Sequence, residues 1–159
     1  KFDSVTTQSL AAFLCENAES YDIIQAMPEM PEPVVHALLE HHLDSFRQAI
    51  MAFDREIDQG VTFEYCDSIA DFYETIFRAT DDYSLCLLII ERLATLGARH
   101  NRWHVGRVLA DLVEDIEDES MVHALIDVFR DDPNAAFFNA GYLRRRKIPP
   151  MLRDILPSE

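Results

Sequence analysis

The chain has 159 residues, of which 48% are hydrophobic and only four are glycine. This composition indicates one folded domain, residues 1–159, with a sizeable core; it excludes a disordered chain, and the few glycines do not suit a sheet with many tight turns. The formal net charge of −15, from 14 basic and 29 acidic residues, works against general binding to nucleic acid, because a polyanion is repelled by an acidic protein.

The charge is distributed unevenly along the chain. Residues 1–98 hold 5 basic and 18 acidic residues, a balance of −13, whereas residues 99–159 hold 9 and 11, a balance of −2. Such an asymmetry marks either a partner surface or, more simply, a solvated acidic face.

Three cysteines, Cys15, Cys66 and Cys86, lie among apolar residues. Because their number is odd and gives no disulfide framework, we expect buried free thiols in a reducing, cytoplasmic compartment. No signal peptide and no apolar run of about 18 residues is present, so we expect no membrane span. The first residue is Lys rather than Met, as expected for a processed chain or a fragment of a longer one.

The first helical pattern covers residues 6–14, and a short second one covers residues 21–27. Pro28, Pro31 and Pro33 then predict an extended connection, because each proline disfavours helix in the residue before it. Proline is tolerated in the first turn of a helix, so we predict that Pro33 begins the next one.

That next helix is predicted to be the longest, with Gly60 ending it in a left-handed conformation. Apolar residues recur along it every three or four positions and form one continuous face, while the opposite side is charged. This apolar face consists of Val35, Leu39, Leu43, Phe46, Ile50, Phe53 and Ile57.

Residues 62–79 repeat the helical pattern with an acidic polar side. The acidic residues are Glu64, Asp67, Asp71 and Glu74. We predict that they form a solvated ridge that attracts a basic peptide, with binding that weakens as salt is added.

The strongest apolar pattern covers residues 85–129 and predicts three successive helices, with the first one central. It begins with the unbroken apolar run of residues 85–90, which also suits a buried strand; helical spacing continues to Leu96, so we predict a helix covered on nearly all sides. The turn at residues 80–82 is predicted to cap this helix, and Asp118 or Ser120 to cap the third. Five leucines are predicted to be buried together: Leu88, Leu93, Leu109, Leu112 and Leu125.

A boundary follows at residues 131–133, where a capping acid precedes a proline. The helix of residues 135–146 has an apolar side that includes Phe137, Phe138 and Tyr142, which we predict to face the preceding helix. Pro149 and Pro150 end it, and a last amphipathic turn closes the chain. No stretch alternates with a period of two, so the prediction is an all-α protein of about seven to nine helices.

Residues 122–144 combine an apolar helix, the acidic proline-containing turn and a second helix with Ala135, Ala136, Ala140 and Gly141 among aromatic residues. In this order they resemble a unit of the HEAT or armadillo repeat families, and residues 77–96 are similar. The resemblance covers residues 66–156 and implies stacked helical pairs that act as a protein-binding scaffold. Because no clean repeat period is present, an irregular multi-helix bundle stays the alternative.

Catalytic and metal-binding patterns are weak. His36 and Glu40 share a helical face, and His100 and His104 are also four residues apart, but a metal site needs three or four convergent ligands. No Gly-x-Ser-x-Gly motif and no glycine-rich phosphate loop occurs. We therefore predict no cofactor, metal or catalytic residue, and keep a small helical-bundle enzyme or metal-binding protein as the alternative.

The basic run of residues 144–147 is the sharpest local feature. We predict that Arg144, Arg145 and Lys147 bind an acidic or phosphorylated partner; they could equally neutralise the chain's own acids, or form a nucleic-acid-binding module. Trp103 is either an exposed interface anchor or, as is commoner, a half-buried packing residue. Together these features predict a protein–protein interaction module that binds a peptide or a partner helix.

Overall fold

Helices make up the architecture. A computed structural model describes residues 25–58 and 63–158, without the side chains of residues 41, 45, 49, 52–58, 63 and 64. No strand occurs among these residues, which confirms the all-α class and the predicted number of helices. In chain order they form a 3-10 turn, Met27–Glu29, and the helices α1 Glu32–Asp58, α2 Phe63–Ala79, α3 Tyr83–His100, α4 Trp103–Glu114, α5 Glu119–Asp131, α6 Pro133–Leu143 and α7 Pro150–Arg153.

The internal contacts divide the chain into two compact units, Lys1–Leu85 and Cys86–Glu159. The single domain expected from the sequence stays a prediction. The helical pattern of residues 6–14, Cys15 and the helix end at Gly60 lie outside the described residues.

In the N-terminal unit, α1 and the 3-10 turn both pack against α2. The described apolar face of α1 points into this interface: Val35, Leu39, Phe46 and Ile50 are buried, and Leu43 is half-buried. The helix is not continuous, however, because His42 has φ −134° and ψ 29°, outside the helical range, so α1 is kinked there. No proline or glycine marks the position, which is why periodicity alone predicted an unbroken helix.

The aromatic residues of α2 supply much of this core. Phe72 and Tyr73 are fully buried, and the Phe72 ring lies 6.4 Å from the ring of Phe46. Fully burying a side chain such as Phe stabilises the fold by roughly 1.5–3 kcal/mol relative to leaving it exposed. Phe72 therefore contributes to the packing of α2 on α1.

Asp82 caps α3 as the sequence predicts. Its carboxylate accepts a hydrogen bond from the Leu85 N–H at 2.8 Å, another from the Ser84 hydroxyl at 2.8 Å and a third from the Arg47 guanidinium at 2.8 Å. The hydrogen bond from Ser84, followed by those from the Leu85 N–H and Arg47, holds the pKa of Asp82 below its ordinary value.

In the C-terminal unit, side chains and backbone define each helix end. Asn101 has φ 51°, and the Arg102 N–H donates to the Gly97 carbonyl at 2.9 Å, so α3 ends in a Schellman motif with asparagine in the left-handed position. Asp118 accepts from the Ser120 N–H at 2.8 Å and caps α5, while Asp132 accepts from the Asn134 N–H at 3.0 Å and caps α6. Both caps were predicted from the sequence.

The core of this unit includes four of the five leucines predicted to be buried together. Leu93, Leu109, Leu112 and Leu125 are fully buried. The prediction is wrong for Leu88, which is half-buried, because the neighbouring residues Ile89 and Ile90 occupy the inward side of α3. No residue of the apolar run at 85–90 is exposed, in agreement with a helix covered on nearly all sides.

One polar residue lies within this core. Asn139 of α6 is completely buried, and its side-chain amide donates to the carbonyls of Ala94 in α3 and Ala135 in α6, each at 2.8 Å. Helix α6 also contacts α4 and α5, and α7 contacts α5. The buried residues of α6 other than Leu143 are small: Ala135, Ala136, Asn139 and Ala140.

Candidate functional site

Two glycines let the aromatic rings of α6 approach neighbouring helices. A Cβ atom at Gly97 of α3 would lie 2.6 Å from Phe138 Cε1, and one at Gly106 of α4 would lie 2.6 Å from Tyr142 Cδ2. Any side chain at these positions would collide with the rings, so glycine is needed for this packing. The two rings also contact each other, with centroids 5.5 Å apart.

This arrangement corrects the predicted orientation of α6. Phe138 and Tyr142 lie over the glycines of α3 and α4 instead of facing α5, and Phe137 is 70% exposed. The reason is the space that Gly97 and Gly106 leave free, whereas helical periodicity shows only that these residues share an apolar side.

A groove of about 730 Å³ lies on one side of Tyr142. Its lining combines three aromatic residues with Gly141 and two arginines, Arg144 and Arg145. The lining residues are Asn101, Phe137, Phe138, Ala140, Gly141, Tyr142, Arg144, Arg145, Pro157 and Ser158.

A second groove, of about 410 Å³, adjoins the first, because Tyr142 and Arg145 line both. Trp103 borders it and is 56% exposed, so it is an exposed residue and not a half-buried packing one. The Arg107 guanidinium lies 5.5 Å from the centre of the Trp103 ring, a cation–π contact that orients both side chains. The lining residues are Trp103, Arg107, Ala110, Tyr142, Arg145 and Arg146.

We call the two grooves together the Tyr142 surface. No acidic residue is among the described residues that line either groove. The acids that pair with Arg146, Asp111 and Glu114, are not among the lining residues.

The residues of the basic run have different partners. Arg146 forms ion pairs with Asp111 and, at 3.7 Å, with Glu114, so it neutralises the chain's own acids. Arg144 donates to the Leu156 carbonyl at 3.3 Å. Arg145 and Lys147 are exposed, and their side chains form neither an ion pair nor a hydrogen bond with the part of the chain that the structure describes.

The structure brings together only some of the predicted site residues. Arg144, Arg145 and Trp103 line the Tyr142 surface, whereas Lys147 is exposed and lines neither groove. Arg107 was missed by the sequence analysis, although it follows Trp103 by four residues and so lies on the same helical face.

The predicted acidic ridge belongs to the N-terminal unit. The side chain of Glu64 lies outside the described residues, and Asp67, Asp71 and Glu74 on α2 are half-buried, so they are less solvated than expected. Glu74 accepts a hydrogen bond from Arg78 Nε at 3.0 Å, which offsets part of its charge.

The histidine pair considered as metal ligands does not converge with others. His36 and Glu40 are both exposed on α1, and no group of three or more His, Cys, Asp or Glu residues in the described ranges could hold a metal ion. Within the same ranges, no helix has the length and apolar character needed to cross a membrane.

Comparisons with known proteins give no further information about this chain. No protein-family model, curated protein or solved structure matches it. The resemblance to helical repeats and the function therefore stay proposals that depend on the chain's own residues.

Proposed function

We propose that this protein is a protein–protein interaction module and that the Tyr142 surface is where it docks a peptide or partner helix. The observation that carries the proposal is the exposed guanidinium of Arg145, which has no acidic partner in the described chain and lies between two grooves bordered by aromatic side chains. An arginine in this position can bind a carboxylate from another molecule, and the rings beside it can bury apolar groups.

That Arg145 has no acid partner in the described chain is informative, because acidic residues are abundant in the C-terminal unit. Residues 86–159 contain 10 basic and 12 acidic residues, enough acid to pair with every cation, and Arg146 does contact two of them. The acids nevertheless stay out of both grooves. A local positive surface in a chain of net charge −15 favours a partner segment that brings its own negative charge.

The exposed aromatic residues support a protein partner. Trp103 and Phe137 are more than half exposed, and aromatic residues with arginine are the types enriched at the centre of protein interfaces. Burying such rings against a partner removes apolar area from water, which supplies affinity, while Arg145 supplies orientation.

The resemblance to HEAT and armadillo repeats fits this proposal. The α5–α6 pair, joined through the Asp132 cap and Pro133, is the part of the chain that carries the resemblance best. We propose a scaffold of stacked helical pairs, an arrangement that presents extended binding faces. Cys66 and Cys86 are buried and not joined in a disulfide, which fits the proposed reducing, cytoplasmic location.

Capture of partners from nuclease-treated lysate tests the proposal. We expect the full chain to retain specific proteins and to lose them when Arg145 and Lys147 are both changed to Glu. Arg153→Glu is the matched control, because Arg153 is an exposed cation that lines neither groove. Equal capture by the wild type and the double variant would show that the partner binds elsewhere.

A further inference from the structure

Resting on the proposed function, we propose that the partner of the Tyr142 surface is an acidic peptide segment in which a large apolar side chain lies within about two residues of a carboxylate. The apolar side chain enters the larger groove, and the carboxylate binds Arg145. The two grooves therefore select a peptide by one apolar side chain and one carboxylate.

The spacing follows from the shared residues of the two grooves. Tyr142 and Arg145 line both, so the apolar and cationic parts of the surface meet at these side chains. An extended peptide advances roughly 3.3 Å per residue, so groups that bind adjoining positions come from neighbouring residues of the ligand.

The apolar part is the larger groove, where Phe137 and Phe138 provide ring surface. Gly141 lies between them and Arg145, and a Cβ atom built on it would meet nothing within 4 Å. Phe137 and Gly141 are four residues apart on α6 and both exposed, and the exposed Arg145 lies just beyond the end of that helix. The missing side chain of Gly141 therefore leaves an empty position on the solvent-facing side of α6. This empty position accepts the apolar anchor.

The anionic part centres on Arg145, because the other arginines nearby are engaged. Arg146 is paired with Asp111, and Arg107 lies over the Trp103 ring. Arg144 donates a hydrogen bond to the Leu156 carbonyl. A guanidinium binds a carboxylate through two parallel hydrogen bonds, so Arg145 is the specificity-determining residue.

Single-stranded nucleic acid also uses arginines and exposed aromatic rings. A strand would bring a phosphate with every nucleotide, and beyond the grooves it would meet a chain with 29 acidic residues. A short peptide with one or two carboxylates places its charge only where the surface is positive, so the observations favour the peptide.

Selection from a random peptide library displayed on phage, with the full chain as bait, tests the proposal. We expect the enriched peptides to place Asp or Glu within two residues of Phe, Trp, Leu, Ile or Met. For a synthetic peptide of this kind, measured by fluorescence anisotropy, Arg145→Glu should weaken binding at least about tenfold. Replacing the peptide's acid by Lys should restore binding to that variant, and Arg153→Glu should bind as the wild type does.

A second variant tests the apolar part without disturbing the core. Gly141→Leu occupies the empty position. The Cβ atom that it adds meets nothing within 4 Å, and leucine favours a helix more than glycine does, so the melting temperature of the variant should not fall, while peptide binding should fall at least about tenfold.

Other outcomes would separate the two proposals. Enriched peptides that lack acids but still lose binding to Gly141→Leu would overturn the acidic motif and leave the docking surface standing. Peptides insensitive to both Arg145→Glu and Gly141→Leu, or no enrichment at all, would overturn both proposals. Binding of fluorescent oligothymidine that Arg145→Glu abolishes would assign the surface to single-stranded nucleic acid and overturn both.

Discussion

The two units of the chain treat their charged residues differently. Residues 1–85 hold 4 basic and 17 acidic residues, and the two cations whose contacts are described, Arg47 and Arg78, each bind an acid: Asp82 and Glu74. Residues 86–159 hold 10 basic and 12 acidic residues, yet Arg145 and Lys147 stay without an acid partner in the described chain. Among the described exposed cations of the C-terminal unit that have no acid partner, Arg145 lines both grooves of the proposed docking surface, so position as well as pairing separates it from the cations of the N-terminal unit.

Phe72→Ala should give the largest effect, because it breaks the core of the N-terminal unit. Phe72 is fully buried against Phe46, so we expect the free energy of unfolding to fall by about 3–5 kcal/mol in urea titrations. Met51, in the same unit, is 58% exposed, and Met51→Ala should change stability by less than about 0.5 kcal/mol. A Phe72→Ala loss below about 1 kcal/mol would show that this interface does not hold the unit together.

Two glycines of the C-terminal unit should respond in opposite directions to alanine. Gly106→Ala places a Cβ atom 2.6 Å from the Tyr142 ring, so we expect a loss of about 1–3 kcal/mol and reduced partner binding as the ring is displaced. Gly141→Ala meets open space in a helix and should gain about 0.5–1 kcal/mol. Thermal melts of both variants measure this, and equal shifts would contradict the described packing of Tyr142.

Helix caps allow the units to be compared at low pH. Asp82→Ala should cost about 0.5–2 kcal/mol at neutral pH, because it removes the cap of α3. The folded-state pKa of Asp82 is lowered, so its contribution is complete above the ordinary aspartate pKa of about 4 and is lost as the pH falls through the lowered value.

The stability difference between wild type and Asp82→Ala should therefore shrink only under acidic conditions. Asp118, the cap of α5, also has a lowered pKa, through hydrogen bonds from the Ser120 side chain and N–H, but it is fully exposed, so Asp118→Ala should have the smaller effect. A difference at Asp82 that stays constant down to about pH 2 would contradict the charged cap.

The smallest expected difference separates two adjacent arginines. Arg146→Gln should lose about 0.5–1 kcal/mol, because it leaves Asp111 and Glu114 unpaired at a half-exposed site. Arg145→Gln should stay within about 0.5 kcal/mol of the wild type, since it breaks no ion pair or side-chain hydrogen bond in the described chain. Should both variants lose the same stability, Arg145 has an internal partner and its assignment to a docking surface is wrong.

The helices and their caps could be predicted from the sequence because their causes are local. Asp82, Asp118 and Asp132 each precede a helix whose first N–H groups they accept from, and periodic apolar residues reveal the helices themselves. The kink at His42 has no local signal, so it was missed.

The candidate site was only partly predictable because its causes are tertiary. The run of residues 144–147 marks a positive segment, but whether Arg145 or Arg146 is neutralised depends on Asp111 and Glu114, more than 30 positions earlier. Likewise, the Phe138 and Tyr142 rings pack against glycines of two other helices. The sequence pattern within α6 carries no information about those glycines.

Asn139 lies on the side of α6 that aligns this helix on α3, whereas the residues on the opposite side can be substituted without affecting that alignment. Its side-chain amide donates a hydrogen bond to the Ala94 carbonyl of α3. An apolar replacement would remove this directional contact, so we expect the asparagine to fix how far α6 slides along α3. Phe137 and Gly141 lie on the opposite, exposed side and take no part in that alignment. The proposed ligand preference can therefore be changed one exposed position at a time, while Asn139 keeps α6 aligned on α3.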